Sequence, residues 1–428
     1  MTSLAALVLA LAGTPLFIII AGLALYSFYR GGIDLTVVFI EMYRLADTPA
    51  LTAIPLFAFG GFVLAESGAA RRLVRISETA LGWLPGGLGI MALVVCALLT
   101  AFTGASGMTI VAIGGLLYPA MQQSRYPDSF SLGLLTTSGS LGLLFPPSIP
   151  LIVYGIVSET PIDGLFLAGI APGLLLVGCL SVYSYVVGRR VALASGAEPA
   201  DRGAAEAGTG AGQTLRALRE GVWELLLPIV VIAGIYGGFI AVSEAAALSA
   251  LYIVFVEMVI HRELRPAQIP GIIRHTMVLV GGIFVILAAA MAYTNFMIDA
   301  EIPTRLLAYV AAHIDSRFAF LILLNVFLLA VGCMIDMFSA LIVVVPLLLP
   351  IAAAYDVHPV HLGIIFLANL EIGYSTPPVG LNLFIASARF ERPILQLYKA
   401  SLPFLGILLA ALLIITYVPQ LSLFLVSP

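Results

Sequence analysis

Oxygen-bearing side chains gather at two places in a chain that is otherwise strongly apolar. In the first half they are Thr103, Ser106, Thr137, Ser138 and Ser140. In the second half they are Asp336, Ser339, Asn369, Glu371, Thr376 and Asn382. Hydroxyl, amide and carboxylate oxygens, with backbone carbonyls, are the ligands that hard cations prefer, and a sodium ion takes about five or six of them. The two groups together predict a cation site, although any single serine or glycine could serve only close helix packing.

Glycines beside these side chains allow the backbone to approach closely. They are Gly104, Gly139, Gly142 and Gly373. Gly142 and Gly373 each begin a segment that ends in a proline pair, Pro146-Pro147 and Pro377-Pro378 respectively. The same 231 positions separate the two glycines, the two pairs and two preceding prolines, Pro119 and Pro350.

A proline pair removes two backbone donors and clashes with the preceding turn, so it frees carbonyls inside an apolar run. Backbone of this kind is tolerated within a membrane only where it is buried in protein or coordinates something. Breaks at corresponding positions of two halves indicate a transporter site built from broken helices. The half-helix N-termini at such breaks point partial positive charge towards an anion, so an anionic substrate and a cation can share one site.

The composition excludes an ordinary soluble domain. The chain has 428 residues, of which 61% are hydrophobic and 10% charged, and its mean hydropathy is +1.12. At ~20 residues per crossing there is room for roughly ten or more spans. The cysteines Cys96, Cys179 and Cys333 lie in apolar stretches without metal-ligand spacing, so we expect no disulfide and no cofactor beyond coupling ions.

The polar linker 189–219 divides the chain into halves, and its arginines place it in the cytoplasm. We expect a scaffold and arm at 1–85 and again at 220–316. Transport-domain halves follow each of them, at 86–188 and 317–428. Each contains a re-entrant hairpin and a broken helix, which the sequence places at about 87–123 and 130–157, then at about 318–355 and 361–389. Basic residues near the ends put the two hairpins on opposite membrane faces, so the predicted fold is an all-α polytopic membrane protein with inverted repeats.

The remaining ionisable residues leave several alternatives open. The position of Asp336 at a hairpin tip favours a functional role. The position of Glu371 at the break is equally consistent with a structural hydrogen bond to freed backbone and with proton or cation coupling. The string Gly104-Ala-Ser-Gly107 also matches intramembrane serine proteases, but a serine nucleophile needs a histidine base. All five histidines are expected at the surface, so the sequence disfavours an enzyme. A channel is a third alternative, but it does not explain two hairpins that enter the membrane from opposite sides.

At these motifs the chain resembles the large membrane subunit, DctM-like, of the tripartite ATP-independent periplasmic (TRAP) transporters. The resemblance covers nearly the whole length. In the first half it rests on Ala53-Ile-Pro-Leu-Phe57, the tip at Thr103–Gly107 and Gly139-Ser-Leu-Gly-Leu-Leu-Phe-Pro-Pro-Ser148. In the second half it rests on Gly234-Ile-Tyr-Gly-Gly238 leading to Glu244, on Asp336 and on Ile372-Gly-Tyr-Ser-Thr-Pro-Pro-Val-Gly380.

This resemblance implies an ion-transporter-superfamily fold, an elevator mechanism and sodium-coupled import of a small carboxylate, such as a C4-dicarboxylate, across the bacterial inner membrane. It also implies two partners: a separate small membrane subunit (DctQ-like) and a periplasmic substrate-binding protein. The family's sodium sites fall here on Ser106, Gly139, Gly142, Asp336, Gly373 and Thr376. The family tip often has a second serine where this chain has Ala105, so one hydroxyl ligand is missing. The runner-up is a stand-alone sodium–carboxylate symporter of the same superfamily.

Overall fold

The computed structural model describes residues 9, 13–44, 48–81, 84–194 and 211–426, and over these residues the protein is helical. The predicted linker lies partly outside them, because 195–210 is not described. The helices of the first half are α1 Leu16–Arg30, α2 Thr36–Arg44, α3 Ala53–Glu66, α4 Ala69–Leu81, α5 Gly87–Thr103, α6 Ser106–Gln123, α7 Asp128–Ser138, α8 Ile149–Ser158 and α9 Ile162–Ala194. Those of the second half are α10 Ala211–Tyr236, α11 Val242–Phe255, α12 Ile269–Asp299, α13 Ile302–His313, α14 Arg317–Met334, α15 Met337–Ala354, α16 Pro359–Gly373, α17 Leu381–Phe390, α18 Ile394–Tyr417 and α19 Gln420–Leu423.

Within the described ranges, 7 helices are long and apolar enough to cross a membrane, or 8 if α7 and α8 count as one bent span. The estimate from length alone was higher because part of the apolar sequence lies in shorter helices. α5, α16 and α17 belong to this group, at 17, 15 and 10 residues. A crossing needs about 20 residues at 1.5 Å per residue, so such helices span part of the bilayer each.

Each predicted hairpin corresponds to two consecutive helices joined by a very short tip, and α5 packs closely on α6, whereas α14 and α15 touch each other little. α5 ends at Thr103, Gly104 caps it at φ +60°, and α6 begins at Ser106. In the second half α14 ends at Met334, and Asp336 is the N-cap of α15. The observed ends agree with the predicted ranges within about two residues, because the glycine tip and the polar cap are both strong local signals.

The two breaks also occur where the proline pairs predict them. After α7 the chain makes a 3-10 turn over Leu141–Leu144, and α8 then continues at 46° to the first part. After α16 the segment 374–380 is irregular until α17 begins at Leu381. Both proline pairs are joined by cis peptide bonds.

The halves exchange contacts in a symmetric way. The second arm of the first hairpin, α6, packs against α17, and its counterpart in the second hairpin, α15, packs against α8. Ser140 donates a hydrogen bond to the carbonyl of Glu371 at 3.1 Å, and these residues are themselves 231 positions apart. Equivalent positions of the two repeats therefore meet, as they must where a pseudo-two-fold axis passes.

The centre of this arrangement is α16, whose residues from Val360 to Gly373 are all buried. A helix that is apolar on every side belongs in an interior. Three buried polar residues cross-link it to its neighbours. Asn369 donates to Asn325 of α14 at 2.7 Å, and Asn325 lies 3.2 Å from the Thr416 hydroxyl of α18.

His361 corrects one expectation, since it is fully buried and not at the surface. Its ring nitrogens lie 3.2 Å from the Ser422 hydroxyl and 3.2 Å from the Thr416 carbonyl. The short sequence between α15 and α16 suggested a loop residue. The structure instead starts α16 at Pro359, which carries the imidazole inside against α18 and α19.

Arg72 anchors the amphipathic helix α4 to the rest of the protein. Its guanidinium binds Glu224 of α10, Glu257 just beyond α11 and Glu263 of the following loop, the last at 2.6 Å. The side chains of Arg72, Glu224 and Glu257 are 7%, 3% and 0% exposed. One buried arginine therefore holds three carboxylates that lie between 152 and 191 positions away.

Glu263 gives this cluster a pH dependence. Partial burial alone would raise the pKa of its carboxyl, but the hydrogen bond and charge of Arg72 outweigh that effect and lower the pKa below its ordinary value of 4.5. A lowered folded-state pKa gives stability that is present above 4.5 and is lost as the pH falls through the folded value. We expect the melting temperature of the wild type to be higher than that of Glu263→Gln at pH 7, and the difference between the two to disappear below pH 4.5. Thermal unfolding across a pH series checks this, and a gap that stays constant to the acid limit would contradict it.

Candidate functional site

The first hairpin tip packs on the first break. The Thr100 hydroxyl of α5 lies 2.8 Å from the Gly139 carbonyl and 2.6 Å from the Thr109 hydroxyl of α6. A Cβ on Gly142 would lie 2.5 Å from the Ala101 nitrogen, and one on Gly104 would lie 2.9 Å from the Ile149 side chain. Glycine is therefore required for the two segments to touch.

The second tip packs on the second break in the same manner. A Cβ on Gly373 would lie 2.7 Å from the carbonyl carbon of Gly332. The Gly380 N–H donates to the Cys333 carbonyl at 3.0 Å, and the Met337 N–H donates to the Tyr374 hydroxyl. The tip and the break are thus fixed to one another by one backbone–backbone bond and by one bond from the tip backbone to the Tyr374 side chain.

Two hydrogen bonds join these tip–break pairs into one site. Ser106 of the first tip donates to the Asn382 amide oxygen of α17 at 2.7 Å, and both side chains are buried. Ser140 of the first break reaches the Glu371 carbonyl of α16. The sequence-predicted groups of both halves therefore converge, although 276 positions separate Ser106 from Asn382. The partner of Ser106 is an amide and not a histidine.

Several predicted hydroxyls are occupied by nearby backbone. Thr137 donates to the Gly133 carbonyl one turn earlier at 2.8 Å, and Thr376 does the same to Ile372 at 2.8 Å. Ser138 contacts the Cys96 sulfur at 3.3 Å, and Thr103 accepts from the Ala105 N–H at 3.4 Å. Thr137, Ser138 and Thr376 therefore use their donors in local contacts at the breaks, whereas Thr103 at the tip accepts.

Asp336 is an exposed residue at the second tip, and its side chain caps α15. Its Oδ1 accepts from the Ser339 N–H at 3.1 Å, whereas the Ser339 side chain is buried. A carboxylate at a helix N-terminus also benefits from the dipole. The structure therefore supplies a capping role for Asp336 alongside the predicted functional one.

Buried polar atoms without hydrogen-bond partners concentrate at the second break. Among the described residues these atoms include the Asn369 amide oxygen, both carboxylate oxygens of Glu371, the Ser375 hydroxyl and the Asn382 amide nitrogen. All four side chains are at most 1% exposed. Unpaired buried polar groups cost free energy, so a cluster of them needs an explanation such as a bound ion. The backbone bond that the sequence left open for Glu371 is not formed by its carboxylate.

Sequence reasoning missed the residues that support the site from behind. Thr100 holds the first break, Tyr374 holds the second tip, and Asn325 with Thr416 fixes α16. A polar residue within an apolar run, such as Asn325, was the available signal. Its hydrogen-bond partner could not be predicted from the sequence, because Thr416 is 91 positions away on another helix.

Comparison with known proteins gives a consistent result. A family model described as "Tripartite ATP-independent periplasmic transporter, DctM component" matches residues 3–421. A C4-dicarboxylate TRAP transporter large permease protein of Pseudomonas aeruginosa is 36% identical over 384 residues, which cover 90% of this chain and 88% of that protein.

Other relatives carry different substrates in their names. An ectoine TRAP transporter large permease protein of Halomonas elongata is 32% identical over 97% of this chain and 96% of that protein. A sialic acid TRAP transporter large permease protein of Vibrio cholerae is 30% identical over 90% and 88%. The fold is similar to the crystal structure of the Alcanivorax borkumensis YdaH transporter, with a TM-score of 0.57 and 14% identity over 87% of this chain and 88% of that one.

Proposed function

The chain belongs to the DctM family of tripartite ATP-independent periplasmic transporters, and from this premise we propose that it imports a small organic carboxylate driven by sodium. It is a multi-pass protein of the bacterial inner membrane, and its relatives are named as transporter permeases and not as enzymes. Membership in a tripartite family implies a small membrane subunit and a periplasmic binding protein as partners. The carboxylate and the sodium coupling are the proposal.

The observation that carries the proposal is the convergence of two tips and two breaks on one buried, oxygen-rich centre. Ser106–Asn382 and Ser140–Glu371 tie the two halves together there. We place one sodium ion by the Ser106 tip with Gly139 and Gly142, and another by the Asp336 tip with Gly373 and Thr376. The unpartnered oxygens of Asn369, Glu371 and Ser375 support the second position, since they are uncharged or anionic ligands of the kind sodium takes.

The anion is best accommodated between the breaks, where α8 and α17 begin after the proline pairs. The N–H groups of their first turns lack intrahelical acceptors and carry the positive end of the helix dipole. The exceptions are Pro150, which has no N–H, and Asn382, whose N–H donates to the Tyr374 carbonyl at 3.0 Å. We propose that 86–188 and 317–428 move together as the transport domain of an elevator. The segments 1–85 and 220–316 then form the scaffold on which the small subunit packs.

Uptake into proteoliposomes tests this function. The chain is reconstituted with its small subunit and given an inward sodium gradient and a panel of labelled carboxylates, with and without the periplasmic binding protein. Uptake that needs both sodium and the binding protein supports the proposal and identifies the substrate. Sodium-driven uptake without the binding protein would favour the stand-alone symporter. Uptake at the same rate with and without the sodium gradient would contradict sodium coupling.

The role of Asp336 can be separated from its capping bond. Asparagine is as good an N-cap as aspartate, so Asp336→Asn should keep α15 intact while removing the charge. We expect Asp336→Asn and Asp336→Ala to lose sodium-driven uptake alike, with apparent sodium affinity reduced roughly tenfold or more. The measurement is uptake rate against sodium concentration. Full activity in Asp336→Asn would assign the residue to capping alone.

Glu371 should be equally important to coupling. Glu371→Gln keeps the shape of the side chain but removes its ionisable carboxyl, so that it cannot become an anionic ligand when an ion binds. We expect the apparent sodium affinity to fall roughly tenfold to hundredfold, the range seen when groups that support a metal site are changed. Uptake titrated with sodium at fixed substrate measures this shift, with Glu391→Gln at the exposed end of α17 as the matched control. An unchanged sodium dependence would exclude Glu371 from the ion site.

A further inference from the structure

A second cavity lies away from the tips and breaks, between the start of α7, the last turns of α9 and the first turns of α18. Its volume is about 260 Å³. Its inner wall is aromatic: the ring centroid of Tyr183 lies 5.7 Å from that of Phe130 and 5.1 Å from that of Phe404. The mechanism proposed above uses none of these residues.

The rim of this cavity is positively charged. Arg190 and Lys399, the only lysine in the sequence, both line it, both are exposed, and neither forms an ion pair with a described residue. None of the described lining residues is acidic. Asp128 is adjacent in sequence, but its carboxylate is engaged by the Tyr118 hydroxyl at 2.6 Å and by the Gln396 amide at 3.2 Å. Two cations therefore face the cavity without a protein counter-charge.

The first turn of α7 adds to this polarity. Ser129 lines the cavity, and the N–H of Ser131 donates to the Pro127 carbonyl at 3.0 Å as the helix begins. The N–H groups before Ser131 have no intrahelical acceptor. They supplement the two side-chain charges and do not replace them.

The cavity opens at the cytoplasmic edge of the membrane-spanning helices. Arg190 lies in the last turns of α9, which ends at Ala194, and Lys399 lies in the second turn of α18, which begins at Ile394 after Arg392. The positive-inside rule places both ends in the cytoplasm. Aromatic residues below a basic rim at this depth match the boundary between lipid headgroups and acyl chains, and basic pockets between helices on this side suit anionic headgroups.

We infer that this cavity binds the phosphate of an anionic phospholipid from the inner leaflet. Arg190 and Lys399 contact the phosphate, and the partly exposed side chains of Tyr183, Val187 and Pro403 pack against the glycerol and upper acyl chain, above the buried rings of Phe130 and Phe404. A free phosphate would use the two charges equally well. The apolar lining at Tyr183, Val187 and Pro403 favours the lipid, because it is not fully covered by protein and a free phosphate would leave it uncovered.

The single lysine provides a direct readout. The full chain is placed in nanodiscs of phosphatidylcholine with or without phosphatidylglycerol, and acetylation of Lys399 by an amine-reactive ester is followed by peptide mass spectrometry. A basic side chain near an anionic lipid contributes about 1 kcal/mol, so phosphatidylglycerol should slow the labelling roughly fivefold. Arg190→Ala should remove most of that protection in the same nanodiscs. Arg189→Ala, which removes an equal charge one residue away from the lining, should leave it intact.

Each other outcome overturns the inference. Equal labelling in both lipids would mean that no anionic lipid occupies the cavity. Equal loss of protection in Arg189→Ala and Arg190→Ala would mean that Lys399 senses only the surface potential. Protection by inorganic phosphate in pure phosphatidylcholine, as strong as that by phosphatidylglycerol, would assign the site to a soluble anion.

Discussion

Replacing Gly373 or Gly142 by alanine should stop transport while leaving the membrane insertion of the chain unchanged. A Cβ on Gly373 would lie 2.7 Å and 2.8 Å from the carbonyl carbon and Cα of Gly332, and one on Gly142 would lie 2.5 Å from the Ala101 nitrogen. The obstructing atoms are backbone and cannot rotate away. Overpacking of this kind costs about 1–3 kcal/mol, and here it would separate each tip from its break, where the ions are proposed to bind. Uptake in proteoliposomes is the measurement, and we expect it to fall to background.

Two glycines in long helices of the same protein provide the controls. Gly178 in α9 and Gly406 in α18 have nothing within 4 Å of the position that a Cβ would take. Alanine at either should be neutral or slightly stabilising, since it favours the helix by about 1 kcal/mol over glycine. If Gly373→Ala transports as well as Gly178→Ala, the tip and the break do not need to touch, and the proposed ion positions lose their basis.

Arg72→Leu should be the most destabilising single substitution outside this centre. It leaves Glu224 and Glu257 buried without the cation that both of them bind. Removing one partner of a buried ion pair costs about 3–5 kcal/mol, because the remaining charge has lost both its water and its counter-ion. We expect a large fall in the melting temperature of the purified chain and release of α4 from α10. Thermal unfolding in detergent measures the first effect, and protease sensitivity near 69–81 measures the second.

The neighbouring Arg71 is the matched control, since it is exposed on the same helix. Arg71→Leu should change the melting temperature little. Arg72→Lys should fall between the two, because an ammonium keeps the charge but cannot donate to three carboxylates in the geometry of a guanidinium. A melting temperature of Arg72→Leu equal to that of Arg71→Leu would show that the cluster contributes no stability.

Local signals in the sequence were sufficient for the helical framework around the site. Gly104 and Asp336 mark the tips, and the two proline pairs mark the breaks, because each acts on the backbone of its own segment. Such effects do not depend on the rest of the fold. The repeat spacing of 231 then indicated which segments correspond, and the Ser140–Glu371 contact confirms that equivalent positions lie together.

Side-chain partners were not readable in this way. Ser106 and Asn382 were both selected as site residues, but nothing in the sequence joined one to the other. The sequence placed Arg72 only within the first scaffold and arm, 1–85, and its contacts with Glu224 and Glu257 are formed by the fold. His361 was predicted at the surface because the sequence placed it in a short loop, and its burial depends on contacts with α18 and α19. In each case the position of the side chain is determined by a contact between helices that are distant in the sequence.

The exchange of arms between the repeats has a consequence for the ancestry of the protein. Each tip meets the break of its own half, but α6 packs on α17 and α15 packs on α8, so the second arm of each hairpin finds its partner only in the other half. A half-length ancestor would have needed a second copy inserted in the opposite orientation. Such a protein must insert into the membrane in both orientations, so its basic residues must be distributed almost evenly between the loops on the two sides. Duplication within one gene places both copies in one chain. Arginines gained later at helix ends, such as Arg190 and Arg392, then fix the orientation of each half, and the antiparallel pair becomes permanent.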